Sequence, residues 1–271
     1  MLEIEFKGKT GYSSVERRVV ITGIGAVTPL GLNFGDTWRG LINGRQGVRR
    51  LRRENLQGLP YVMAGEVDGF ERVSPFTEKE KRRLDQFIQY LVVSAIEAVS
   101  DAGISGVDAP VVIFGSSRGG VTGMEMAFSS AKKGLRPSLM ISTMIGMGVS
   151  AVAEKLGIRA TGYGVSSACA SGAIAVGQAF RAVKSGDAEV AITGGADAPI
   201  TRFCLEGYGA MGLLSKRADP TASRPFSMGR DGFVLAEGGV GIVIEELGHA
   251  LNRGARIYAE IKGFDTFVTP E

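Results

Sequence analysis

The sequence predicts an α/β fold built on a buried sheet, and three observations carry that reading. Short apolar runs alternate with segments of helical period along the chain. Several of the runs are apolar at successive positions, as strands are when both faces of a sheet are covered. The 40 glycines among 271 residues suit the tight turns and close backbone approaches of such folds. The alternation of the two patterns argues for a largely parallel sheet.

Residues 1–17 read as a polar extension. Val19 to Gly25 reads as a buried strand ending in a glycine turn. Its Gly23-Ile24-Gly25-Ala26-Val27-Thr28 lacks the third glycine of the dinucleotide fingerprint, which argues against a Rossmann enzyme. Asp36 to Asn43 reads as a short helix, and 45–75 as loop-rich. Thr77 and Glu80 have the spacing of a capping box and Gly103 is placed to stop a helix, which predicts one helix over 78–101. Its first turn is basic (Lys79, Lys81, Arg82, Arg83) and reads as a solvated face. Pro110 to Gly115 is the next strand. Helical patterns follow near 121–133 and 143–156, then a strand from Gly162, a helix over 170–183 and a strand over 189–195. Residues 199–214 mix loop and helix. A strand region runs from Val234 to Glu245, a short helix from Leu247 to Asn252, and a last strand from Ile257 to Phe264.

Composition narrows the function classes. A chain 44% hydrophobic and 22% charged is an ordinary globular one, and a net charge of +3 is too mild to argue for nucleic acid. No apolar run is long enough to span a bilayer, and the charged start is unlike a secretory signal. Two cysteines make no disulfide framework, so a reducing cytoplasm is the expected setting. Neither a metal nor a cofactor is called for.

The chemistry concentrates in Val165-Ser166-Ser167-Ala168-Cys169-Ala170-Ser171-Gly172-Ala173. This stretch reads as strand, tight turn, helix, with Cys169 at the turn. The positive end of a helix macrodipole favours thiolate, and the thiolate is the nucleophile. Small neighbours, Ala168 among them, would let a long substrate reach the sulfur. The competing reading is a buried cysteine packed as a small hydrophobe. Cys204 reads as such a packed thiol.

Seven stretches in order give the chain a family likeness. They are Val19 to Gly25; Gly115-Ser116-Ser117-Arg118-Gly119-Gly120; Ser167 to Gly172; Ile192-Thr193-Gly194-Gly195-Ala196-Asp197-Ala198; Ser223-Arg224-Pro225-Phe226; Arg230 to Gly238; and Arg253 to Ala259. Together they resemble the β-ketoacyl-acyl-carrier-protein synthases, most like the elongating type. The resemblance implies the thiolase-like fold, two βαβαββ halves stacked as αβαβα layers. It implies that 18–250 form the first half and that 251–271 begin the second.

The family reaction is a decarboxylating Claisen condensation, and the resemblance makes Cys169 its nucleophile and the Cys169 N–H one oxyanion donor. The two histidines that hold the enolate in this family, and a lysine, lie in the second half. His249 stands in Glu245-Glu246-Leu247-Gly248-His249-Ala250, which the family keeps on the surface, and reads as a surface histidine. The expectation is thus a truncated product, or a chain completed by a second polypeptide as homodimer or heterodimer. The resemblance puts Tyr208 where a pocket-lining phenylalanine is usual, and Leu139 and Met140 where dimers reach into a neighbour's acyl tunnel. Ordinary core packing is the alternative for all three. The acidic acyl carrier protein, the implied partner, would dock on Lys132, Lys133 and Arg136. Gly212 departs from an arginine common at its position. A thiolase using coenzyme A and a catalytically silent subunit stay open as alternatives.

Overall fold

The computed structural model describes residues 17–104, 110–129, 135 and 137–267. Its centre is a six-stranded mixed sheet in the order β5-β4-β6-β7-β1-β8. The strands are β1 (Val19–Val27), β4 (Val111–Gly115), β5 (Thr161–Val165), β6 (Val190–Asp197), β7 (Gly238–Glu246) and β8 (Ala259–Ile261). A separate pair, β2 (Arg49–Arg50) with β3 (Met63–Ala64), lies in the segment expected to be loop-rich.

The sheet is less parallel than the sequence pattern suggests. β4 runs parallel to β5 and to β6, but the β6–β7, β7–β1 and β1–β8 pairings are antiparallel. Apolar runs show that a strand is covered on both faces and say nothing of its direction. The antiparallel part is as deeply buried as the parallel part: Val243 and Ile244 of β7 are sealed from solvent.

Alternating side chains on the strands feed two cores. On one face Val112, Phe114 and Ile192 pack against α3 (Gln86–Ala102) and α6 (Gly146–Leu156). On the other Val111, Ile113, Ala191 and Ile244 pack against α7 (Ser171–Ser185). α7 buries Ser171, Ala175, Ala179 and Val183, a strict four-residue spacing that places one face on the sheet. Gly186 at φ 86° ends it in the left-handed conformation that glycine adopts without strain. α3 runs so close to β1 that a Cβ on Gly23 or Gly25 would strike the α3 backbone at Ala98 or Ser94.

The helix predicted over 78–101 is two helices. The capping box is present, with Thr77 accepting from the Glu80 amide and the Glu80 carboxylate accepting from Thr77, but it starts only α2 (Glu78–Arg83). The chain breaks at Leu84-Asp85. Asp85 caps α3 by accepting from the Phe87 amide, and its other oxygen takes the Gly123 N–H at 2.5 Å. A short polar side chain that bonds backbone outside a helix competes with helix continuation.

Further elements are α1 (Phe34–Ile42), α4 (Val121–Ser129), α5 (Leu139–Ser142), α8 (Arg202–Ala210) and α9 (Leu247–Asn252). No helix among the described residues is long and apolar enough to cross a membrane.

Candidate active site

Cys169 sits on the turn between β5 and α7, and its side chain is exposed. The turn is built by local bonds. The Ala170 N–H donates to Ser167 O at 3.0 Å and the Ser171 N–H to Ala168 O at 3.2 Å. Ser171, buried at the first turn of α7, also works in both directions: Oγ accepts from Ser167 N at 2.8 Å and donates to Ala168 O at 2.6 Å. Ala168 pays with backbone strain, adopting φ 45°, a conformation costly for any residue with a Cβ. The result is a thiol turned outward at the head of a 15-residue helix, one residue ahead of its cap. The Cys169 N–H has no acceptor among the described residues.

The thiol lines a cleft of about 510 Å³. Most of its wall is small or apolar, with Gly172, Ala173 and Val176 from α7, Gly194 and Gly195 from β6, and Val240 and Ile242 from β7, while Thr28, Asp197 and Glu237 also line it. Gly115, at the end of β4, brings the sheet against the Cys169 turn so closely that a Cβ there would strike the backbone of Ser171.

Two carboxylates brace the cleft, Asp197 half-buried and Glu237 buried. Asp197, at the end of β6, accepts from Ser116 Oγ (2.9 Å), Ser117 N and Arg118 N (both 3.1 Å), and so pins the loop that follows β4. Glu237 accepts twice from Arg53, at 2.5 and 2.6 Å, and once from the Val67 N–H at 3.1 Å. Arg53 also donates to Ile200 O at 2.7 Å, tying the irregular 45–75 segment to the chain that follows β6. Neither brace is legible in the sequence beyond its position next to a glycine-rich strand end. Among the described residues no cluster of three or more His, Cys, Asp or Glu side chains is placed to hold a metal.

Comparison with known proteins shows the family and the fold. Residues 16–250 match the family model described as the β-ketoacyl synthase N-terminal domain. The chain belongs to the β-ketoacyl synthase family. It is 39% identical over 262 residues to 3-oxoacyl-[acyl-carrier-protein] synthase 2 of Staphylococcus aureus, covering 93% of this chain and 63% of the relative. The fold matches that of the ishigamide ketosynthase/chain length factor with a TM-score of 0.81 at 30% identity, over 92% of this chain and 63% of that one. It matches a type II polyketide ketosynthase, bound to a hexaketide and in complex with its acyl-carrier protein, with a TM-score of 0.77 at 30% identity, over 91% and 62%. The chain thus spans less than two thirds of the length of these relatives. The fold expected from the resemblance, thiolase-like and α/β, is the fold found.

The other positions singled out by the β-ketoacyl synthase resemblance are spread over the molecule. Tyr208, on α8, does not line the cleft. It is half-buried, packs edge-on against Phe233 with ring centroids 5.4 Å apart, and its hydroxyl accepts from Arg118. Leu139 is buried at the start of α5, whereas its neighbour Met140 is 76% exposed. Lys132, Lys133 and Arg136 lie outside the described residues. Cys204 is packed in the core beside Leu205 and Leu214, where burial pushes its thiol pKa up despite a hydrogen bond from the Thr201 side.

His249 differs from expectation. It is half-buried, and Nδ1 lies 2.7 Å from Oε2 of Glu245. That carboxylate is fully buried and also accepts from Thr22 and Arg253. Burial by itself pushes the Glu245 carboxyl up, but the Arg253 and Thr22 hydrogen bonds, with that of His249, outweigh it and hold it below the ordinary range. His249 is therefore part of a structural cluster joining β1, β7 and α9.

Proposed function

We propose that this chain carries the acyl-accepting part of a 3-oxoacyl-acyl-carrier-protein synthase of the elongating type, an acyltransferase of fatty acid or polyketide synthesis. The observation that carries the reading is the exposed Cys169 thiol, held by a strained turn at the wall of an apolar cleft. The Cys169 thiolate attacks the carbonyl of an acyl thioester, and the tetrahedral oxyanion forms beside the unengaged Cys169 N–H. Its collapse expels the carrier's thiolate, which takes up a proton, and leaves the acyl group on sulfur. In the second stage a malonyl thioester loses carbon dioxide. The resulting carbanion attacks the acyl carbonyl, a carbon–carbon bond forms, and Cys169 departs as thiolate. The sequence has one histidine, and Glu245 occupies it structurally. The residues here thus account for acyl transfer, and the enolate donors that the family resemblance calls for are not among them.

Acyl carrier protein is the partner this reading names, supported by the polyketide ketosynthase seen with its own carrier protein. Docking through Lys132, Lys133 and Arg136 belongs to the same proposal, as does a cytoplasmic setting. Self-association is supported by β5, the edge strand of the sheet, whose residues Thr161 to Tyr163 are exposed.

The test is intact-protein mass after incubation with an acyl-carrier-protein thioester, on wild type and on Cys169→Ala. Wild type is expected to gain one acyl group and the variant none. Failure of both to gain mass would overturn the reading, and faster loading from acyl-coenzyme A would favour thiolase-like chemistry instead.

A further inference from the structure

The peptide unit that joins Ala168 to Cys169 has a pinned carbonyl and an unengaged N–H. Its oxygen is held twice by Ser171: Oγ donates to Ala168 O at 2.6 Å and the Ser171 N–H donates to it at 3.2 Å. Ser171 is itself fixed. It is 2% exposed, and its Oγ accepts the Ser167 N–H at 2.8 Å, which leaves the hydroxyl proton for Ala168 O. A trans peptide unit is planar, with C=O and N–H pointing in opposite directions, and no cis bond occurs among the described residues. Drawing Ala168 O onto the first turn of α7 therefore aims the Cys169 N–H away from that turn. On that side no acceptor among the described residues meets it. The Ala168 torsion of φ 45° accompanies this orientation, and the thiol of the same residue pair lines the cleft.

We propose that Ser171 is a positioning residue: acting through the Ala168–Cys169 peptide plane, its hydroxyl holds the Cys169 N–H where the oxygen of a tetrahedral adduct on sulfur gains charge. The proposal rests on the acyl-transfer reading for its biological meaning, but the geometric claim covers any carbonyl that adds to the Cys169 sulfur. A donor aimed in advance needs no reorganisation when the charge appears, whereas one that swings with its peptide plane is worth less. Without the hydroxyl, the Ser171 N–H bond to Ala168 O at 3.2 Å stays, so the donor is loosened and not removed. Outright removal of such a donor costs ~10²–10³ in rate, and loosening it is expected to cost about tenfold. Alkylation by iodoacetamide expels iodide from a saturated carbon, puts no charge on a carbonyl oxygen and makes no use of the donor.

The experiment takes three readouts at Cys169 on the full chain, in wild type, Ser171→Ala and Ser171→Thr. The first is loading from an octanoyl-carrier-protein thioester, followed by intact mass. The second is reversible addition of octanal, in which a C–S bond forms and the thiol proton passes to the aldehyde oxygen, read as protection from alkylation. The third is the rate of iodoacetamide alkylation itself. Ser171→Ala is expected to lower loading and octanal affinity about tenfold each relative to alkylation, and Ser171→Thr, which keeps the hydroxyl, to restore most of both. A role confined to exposing the thiol would move all three readouts together. Circular dichroism checks that each variant is folded, and Ser171→Gly serves where Ser171→Ala is not. Ratios unchanged in a folded variant without the hydroxyl overturn the proposal. If the octanal ratio shifts while no thioester loads, the Ser171 role stands and the acyl-transfer reading fails. If the thioester loads and neither ratio shifts, the reverse holds. A wild type that takes neither reagent overturns both.

Discussion

The exposed position of Cys169 depends on one strained residue. Ala168 holds φ 45°, which a Cβ disfavours by about 1–2 kcal/mol, and that torsion is what turns the next side chain outward. Glycine adopts the torsion freely but loosens the unfolded chain, so Ala168→Gly is expected to change unfolding free energy by less than about 1 kcal/mol. Ala168→Val puts a β-branched side chain in the same torsion and is expected to destabilise by about 2 kcal/mol and to slow Cys169 alkylation. Urea unfolding and iodoacetamide kinetics measure the two effects. The Cys169 position itself was legible as a small-residue turn before a helical run, because that pattern is local. The strain at Ala168 was not, since alanine has no special left-handed preference and only the bonds from Ser171 reveal why it is held there. Arg118 lay in plain view within a motif, but the hydroxyl that its guanidinium holds belongs to Tyr208, 90 residues away.

At the scale of elements, helix α7 and strand β4 meet through glycine, and this contact sets the position of the thiol. A methyl group on Gly115 would strike the backbone of Ser171, which cannot move without moving the turn. Gly115→Ala is therefore expected to cut the rate of Cys169 alkylation by an order of magnitude or more while far-ultraviolet circular dichroism stays that of an α/β protein. A normal alkylation rate would show that the turn has room to shift. A second junction, Glu245 with Thr22, Arg253 and His249, binds β7 to β1 and α9. The native carboxyl is held below its ordinary value of 4.5, so its stabilising effect is complete above that pH. It is lost as pH falls through the lower native value. Unfolding free energy is thus expected to drop on acidification below about pH 4.5, and Glu245→Gln to flatten that slope, as urea titrations at several pH values would show. The boundaries of α9 were readable from a compact apolar period. The break between α2 and α3 was not, because Asp85 terminates the helical run through a bond to Gly123, a partner brought near only by the fold.

At the scale of the whole molecule, strand identity and order of burial follow from apolar runs, but strand direction does not, and the sheet proved mixed rather than largely parallel. The sheet also has two different edges. β8 closes one with three residues paired to β1. β5 forms the other, pairs among the described residues only with β4, and leaves Thr161, Gly162 and Tyr163 exposed. An uncovered edge strand with free backbone donors and acceptors is a template for another chain, and proteins that stay monomeric blunt such edges with charge or proline. β5, Thr161-Gly162-Tyr163-Gly164-Val165, has neither. On α5 and just after it the exposed side chains of Met140, Ile141 and Met144 add apolar area that water covers poorly. The expected outcome is a concentration-dependent dimer by sedimentation equilibrium. Tyr163→Lys puts a charge on the edge at a side chain already half exposed, so it should leave the monomer folded while shifting the equilibrium toward it at least tenfold. A wild type that stays monomeric at high concentration, or a variant that associates as well as wild type, would place the self-association surface elsewhere. Because β5 leads directly into the Cys169 turn, pairing along it would also stiffen that turn. Alkylation of Cys169 should therefore change with protein concentration in wild type and not in the variant.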